Sequence, residues 1–219
     1  MTTTIRMRTT MPFDARLLTL TQWLSPAYPV GAFAFSHGVE QAVRAGWIVD
    51  AETLEHWLRD CLTEGSGRAD AIWLRLAFAG EDVEDEARAF QPSAERLRET
   101  TRQGAAFAAT TRAVWGLDLP DLLLPVAVGR AAALAGLDVE AAVTLYLQAM
   151  MSTLVSAAQR LMPLGQTRAQ AVLAALHADV IATAEATRDA TSDDIHSNAF
   201  LSDIAAMRHE TLEPRLFQS

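Results

Sequence analysis

The residues able to do chemistry in this chain of 219 residues are five histidines, one cysteine, a run of acids and arginine as the only long cation. Their spacing suits catalysis poorly. Ser36 and His37 are sequence neighbours, so helical geometry cannot set them against each other as nucleophile and base. His37, His56, His177, His196 and His209 are scattered, with no His-x-x-x-His or His-Glu-x-x-His pair to hold a metal on one helical face. His37 reads as a satisfied, partly buried histidine, and His209, near the end, as the freest of the five. Cys61 stands alone, which excludes an internal disulfide and a cysteine-cluster metal site. Lysine is absent, so no Gly-x-x-x-x-Gly-Lys phosphate loop occurs. Every cation except histidine is the planar guanidinium fork that suits carboxylate or phosphate. The acidic run Glu81–Glu86 has the composition of a cation loop, but a metal loop needs folded-back geometry. It reads as a solvated helix start, with carboxylates facing the positive end of the dipole. These residues give no catalytic set, no metal site and no tightly bound cofactor.

Composition sets the frame. A net charge of −9 argues against nonspecific nucleic-acid binding. Half the residues are apolar, enough for one good-sized core, and abundant alanine favours closely packed helices. No apolar run reaches the ~18 residues of a membrane span. Residues 1–12 read as a flexible tail whose early arginines lead into no apolar stretch, so it is no signal peptide. A cytoplasmic protein without a membrane partner is the expectation.

Periodicity and caps predict an all-α, single-domain bundle of about eight to ten helices over residues 13–200. Leu17, Leu18, Leu20, Trp23 and Leu24 mark a short first helix, and Ser36 to Ala45 a second with Ser36 as its cap. Asp50 caps a third, with Leu54, Trp57, Leu58, Cys61 and Leu62 on one face. A fourth runs from Arg68 to Ala79. Ser93 starts a long helix to Val114 whose small residues around Gly104 permit close approach. Pro120 stands at an expected helix start, and Pro125 should kink that helix or mark its first turn. Asp138–Met162 is apolar on most sides and reads as the central buried helix. Its narrow polar stripe (Glu140, Thr144, Gln148, Ser152, Ser156, Arg160) suits a channel, an interface, or hydroxyls bonded back to the i−4 carbonyl. After Pro163 and Gly165, Thr167 and Gln170 form an expected capping box for a helix to Thr187.

Two stretches fit no simple core. In Trp23–Glu40, Pro26 and Pro29 stop the first helix, and Gly31 and Gly38 allow tight backbone geometry. Tyr28, Phe33 and Phe35 ask for burial, so the stretch reads as a turn packed into the core. Residues 201–219 hold Asp203, Met207, Arg208, His209, Glu210, Arg215, Leu216 and Phe217 around Pro214. That proline strands Leu216 and Phe217 on the surface, as the anchor of a flexible docking arm. The other reading is a tail folded back on its own core.

Three segments, in order, resemble the UreF family of urease accessory proteins. The first is Ser25, Pro26, Pro29, Val30, Gly31, Ala32 and Phe33, leading to Ser36, His37, Gly38 and Glu40. The second is Val155–Ala158, then Arg160 and Pro163-Leu-Gly165-Gln166-Thr167. The third is Asp203-Ile-Ala-Ala-Met207-Arg208-His209-Glu210-Thr followed by Arg215-Leu216-Phe217. Met151–Thr153 and Pro214 depart from the family pattern. The resemblance implies an all-α homodimer that is no enzyme. It would act with UreD (also called UreH) and the GTPase UreG to deliver nickel to apo-urease. Nickel would pass through the complex, and GTP and magnesium would sit on the GTPase. The third segment would dock on UreD, and Arg160 with Pro163–Thr167 would help form a partner surface or the ion's passage. The alternative from the residues alone is a small all-α enzyme with a polar pocket along the central helix.

Overall fold

Asp14, Asp50, Ser93 and Asp138 each turn a side-chain oxygen onto a backbone N–H at the start of a helix, satisfying donors that a helix leaves open. In the computed structural model, which describes residues 14–219, these caps open α1 (Ala15–Trp23), α3 (Ala51–Thr63), α6 (Ala94–Trp115) and α8 (Val139–Leu161). The expected tail, 1–12, lies outside the described residues. The other helices are α2 (Val39–Arg44), α4 (Ser66–Ala79), α5 (Glu84–Ala89), α7 (Leu124–Leu134), α9 (Gln166–Ala175), α10 (His177–Ala186) and α11 (Phe200–His209). Among the described residues there is no strand, and nine helices exceed six residues, as an all-α bundle requires.

α8 is the axis. It touches α1, α2, α3, α4, α7, α9 and α10, and Leu147, Met151, Val155 and Ala158 are buried along it. By length and composition α8 could cross a membrane, contrary to the expectation that no run is long enough. Its place is the centre of the bundle, where a helix apolar on most sides is covered by other helices. Two contacts are closer than side chains allow. A Cβ on Gly104 would stand 1.9 Å from the Leu122 carbonyl oxygen, and one on Gly129 would stand 2.1 Å from that of Leu74. The missing side chains let α6 meet the segment leading into α7, and α7 lie on α4. Beside them Tyr28 reaches over Phe107 and Trp115 and hydrogen-bonds Thr111 at 2.9 Å.

Several boundaries differ from expectation. α2 begins at Val39, and Ser36 sits two residues ahead of its cap Gly38, still accepting from the Glu40 N–H. Pro120 lies before α7; Pro125 occupies that helix's first turn, where its missing N–H costs nothing. No Thr167–Gln170 capping box forms, because Gly165 opens α9 two residues too early for it. The expected helix to Thr187 breaks at Leu176 into α9 and α10.

Candidate functional site

The third segment is built into the body. His209, the last residue of α11, is fully buried, with Nδ1 2.7 Å from Glu95 Oε2 and Nε2 3.2 Å from Glu40 Oε2. Glu40 comes from α2 and Glu95 from the first turn of α6. Glu40 also accepts from the backbone N–H groups of Leu216 at 2.6 Å and Phe217 at 2.8 Å. Glu95 pairs with Arg215, and Arg98 lies 3.7 Å away. Gln218 donates to the Ala34 carbonyl at 2.8 Å, Ser36 N–H donates to the Ser219 carbonyl at 2.9 Å, and the Ser219 hydroxyl donates to Glu99 at 2.6 Å. Arg44 reaches the carbonyls of Glu213 and Pro214.

The second segment enters the same corner through Arg160. Its guanidinium lies 4.3 Å from the centre of the Phe217 ring and donates to the Phe33 carbonyl at 2.6 Å. Such a cation over an aromatic face is attractive. Ser36, Glu40, Arg160, His209, Arg215 and Phe217 therefore form one clip. His37 lies against it through Glu99, its Nδ1 4.0 Å from that carboxylate. Gly38 places α2 against Ala205 and Ala206 of α11. Pro163, Gly165, Gln166 and Thr167 are exposed in the turn into α9 and take no part in these bonds.

Three expectations are corrected here. Phe217 is 3% exposed and not stranded: Glu40 captures the backbone N–H groups beside it, so the chain after Pro214 turns inward. His209 is the most enclosed histidine, not the freest, because two carboxylates from other helices hold it. Phe33 is 59% exposed, whereas Tyr28 and Phe35 are buried as expected. The 3-10 turn Ala32–Ala34 that follows Gly31 at φ 75° carries Phe33 outward.

What remains outside is a stripe on α11. Phe200, Leu201, Ile204 and Met207 are exposed and recur at helical spacing. Leu216 is exposed beyond the helix, Arg208 lies 5.7 Å over the Trp47 ring, and Asp203 accepts from the Ser197 hydroxyl at 2.7 Å. Pro26 and Pro29 are exposed at the loop before Gly31.

Beneath the clip is a pocket of about 130 Å³, lined on one side by Trp23, Phe107, Val128 and Leu154. Buried polar groups line the other: His37, Asp70, Arg96, Glu99, Gln103 and Tyr146. Tyr146 donates to Asp70 at 2.7 Å, and burial lifts the Asp70 carboxyl to about 6. Burial and the Asp70 charge push Tyr146 well above its usual range. Burial, then the Arg96 charge, hold His37 well below the imidazole range. Glu99 pairs with Arg96 and accepts from Gln103 at 3.2 Å. The stripe on α8 divides. Ser152 and Ser156 line the pocket, Thr144 bonds back to the Glu140 carbonyl at 2.8 Å, and Glu140 takes a two-pronged pair from Arg75.

The chemistry of this pocket falls short of a nucleophile. His37 Nε2 is 2.8 Å from Ser66 Oγ, a serine–imidazole distance. The 4.0 Å to Glu99 is too long for the bond that orients an imidazole in a triad. Cys61 is also unsuited: burial pushes its thiol up to about 12, leaving no thiolate near neutrality. Among the described residues no three His, Cys, Asp or Glu side chains group as a metal site.

The sequence reading missed Glu95, Arg96, Glu99, Asp70 and Tyr146. A signal existed on α6, whose buried face includes Thr111, Phe107, Gly104, Gln103 and Thr100. Continued backward at the same spacing, that face lands on Glu99, Arg96 and Glu95. Charges on a buried face demand partners.

Comparison with known proteins adds independent observations. The UreF family model matches residues 48–177, a span that excludes both the Pro/Gly stretch and α11. A urease accessory protein UreF of Cereibacter sphaeroides is 54% identical over 209 residues, covering 94% of this chain and all of that protein. The protein of the same name from Ruegeria pomeroyi is 46% identical over 214 residues, covering 95% and 99%. That from Bradyrhizobium diazoefficiens is 47% identical over 223 residues, covering 94% and 92%.

Proposed function

Because this chain belongs to the UreF family of urease accessory proteins, we propose that it serves urease maturation as a non-catalytic chaperone and docking scaffold. In this reading it assembles with UreD and the GTPase UreG and helps deliver nickel, as cargo, to apo-urease. GTP and magnesium belong to the GTPase, and the chain works in the cytoplasm as a homodimer. One observation carries the docking role: α11 exposes Phe200, Leu201, Ile204 and Met207 while its other side is locked to the body by His209. A rigid apolar stripe loses little entropy on binding, and an exposed stripe of that kind marks an interaction surface. UreD is the partner we assign to it.

Removing the whole tail is a poor test, since its inner side belongs to the core. Leu201→Asp and Met207→Asp alter only the exposed stripe. Co-purification with UreD and UreG should fall about ten-fold or more for the pair of changes, each charge costing several times RT in an apolar interface. The helical circular dichroism should be unchanged. Undiminished retention would remove α11 as the docking surface.

The pocket beside α8 favours a second reading, the small all-α enzyme, because Ser152, Ser156 and the Ser66–His37 pair stand at or near it. A panel of small polar ligands in thermal-shift assays discriminates: saturable stabilisation lost in His37→Ala supports it, and no shift removes it.

A further inference from the structure

Arg96 is a buried charge that the protein answers only in part. The residue is 5% exposed, and a guanidinium carries five N–H donors. Among the described residues its side chain has one polar partner, Glu99, which meets Nη1 without the alignment of a hydrogen bond. A buried charge calls for hydrogen-bonded partners, so the open donors need acceptors from outside the chain. Arg96 lines the pocket beneath the clip, which has room for them.

Two acceptors on the same pocket are open as well. Asp70 spends Oδ2 on the Tyr146 hydroxyl, and Gln103 spends its NH₂ on Glu99. Among the described residues nothing donates to Asp70 Oδ1 or to Gln103 Oε1. Charge then selects the ligand. Asp70 and Glu99 already oppose the one guanidinium, so an anion would add a third negative group and a cation would meet Arg96, in a site where water screens little. A neutral ligand avoids both costs. It must offer a strong acceptor to Arg96 and N–H groups to two oxygens. A primary carboxamide carries that set, a carbonyl and an NH₂ with two donors. The wall of Trp23, Phe107, Val128 and Leu154 suits a short alkyl group beside it. The volume of about 130 Å³ is a little below the ~150 Å³ that accepts benzene, which sets the size at about five heavy atoms.

We propose that this pocket is a binding site for a small neutral carboxamide, with its carbonyl on Arg96, its NH₂ on Asp70 and Gln103, and its alkyl group on the apolar wall. The inference takes from the second reading above only that the pocket admits a ligand. It needs no nucleophile, and it stands whether or not α11 docks on UreD.

Propionamide titrated into the full chain tests this. At about pH 7.5, Asp70, lifted only to about 6, is mostly an acceptor. Nitrogen–proton NMR should show saturable shifts of the Arg96 Nε–H and the Gln103 NH₂, with a Kd of about a millimolar, within the limit for so few atoms. Propionate, butylammonium and butan-1-ol match propionamide in heavy atoms. Each should bind about ten-fold or more weakly, because each leaves a buried group unpaired or adds a charge. Gln103→Met keeps the size of the side chain and removes its oxygen, which should weaken propionamide about five-fold or more. Ser152→Leu, at the half-buried part of the lining, should block all four probes while the helical circular dichroism is unchanged. No saturable shift, shifts that spare Arg96, equal binding of any of the other three probes, or undiminished affinity in either variant would overturn the site. Release of ammonia from propionamide would also overturn it, and would instead favour the enzyme reading.

Discussion

Asp70 is a carboxyl that the fold would rather keep protonated. Burial lifts it from 3.8 to about 6, with the bond from Tyr146 opposing only in part. The folded chain therefore holds a proton that the unfolded chain has released. This group's contribution to stability is full below about pH 4, declines as pH rises toward 6 and stays lost above. His37, held low by burial and Arg96, acts in the opposite sense, costing stability as pH falls below 6.5. Asp70→Asn keeps an acceptor for Tyr146 and removes the titration. Urea unfolding should show the variant about 1–3 kcal/mol more stable than wild type at about pH 7.5, and equal to it near pH 4. The His37 effect is common to both proteins and cancels. An equal difference at both pH values would show that Asp70 does not titrate as described. Ser36, Glu40, Arg160, His209 and Phe217 were visible as candidates by their types and local pattern. That Glu40 bonds His209 was not, because helical periodicity says which face a residue occupies and nothing about which distant helix covers it. Phe33 misled for a related reason: its size argued for burial, while the short turn after Gly31 decided its direction.

At the scale of helices the sequence was more readable. α3, α6 and α8 begin where Asp50, Ser93 and Asp138 place them, because a cap is a local bond between residues three apart. The burial of Leu54, Trp57, Leu58, Cys61 and Leu62 on α3 follows from spacing alone. Errors arose where two local signals competed. Pro120 and Pro125 both fit a first turn, and the helix took the later. Gly165 outran Thr167 as the start of α9. The break at Leu176 carries no proline or glycine, so tertiary packing decides it. The small residues around Gly104 did announce a close approach, and Gly104→Ala puts the strength of that contact to the test. The added Cβ would stand 1.9 Å from the Leu122 oxygen and 2.7 Å from the Leu124 nitrogen, both backbone atoms that cannot swing aside. A loss of about 2–3 kcal/mol or more is expected from overpacking against main chain, read as a lowered urea midpoint. A change below about 0.5 kcal/mol, the size of an ordinary surface substitution, would mean that α6 and the segment before α7 separate easily.

For the whole molecule, the fold is a bundle about α8 closed at one corner by residues 210–219. Deleting Glu210–Ser219 should then behave as core damage. Glu40 and Glu95 would lose Arg215 and the Leu216 and Phe217 N–H groups, and removing the partners of buried charges costs about 3–5 kcal/mol. The deleted chain should remain helical by circular dichroism but melt well below the full chain. An unchanged melting temperature would show the segment to be only an appendage. The reach of this closure also orders folding in time. Glu40 and Phe217 are 177 positions apart, and chains are made and folded from the N-terminal side first. On the ribosome, α1 to α8 can assemble while the groove between α2 and α6 still waits, acidic and empty, for a segment not yet synthesised. Until α11 and the residues after it emerge, that groove is an open invitation to holdase chaperones or to the matching segment of a neighbouring nascent chain. The segment that ends the exposure is translated only after every helix that forms the groove.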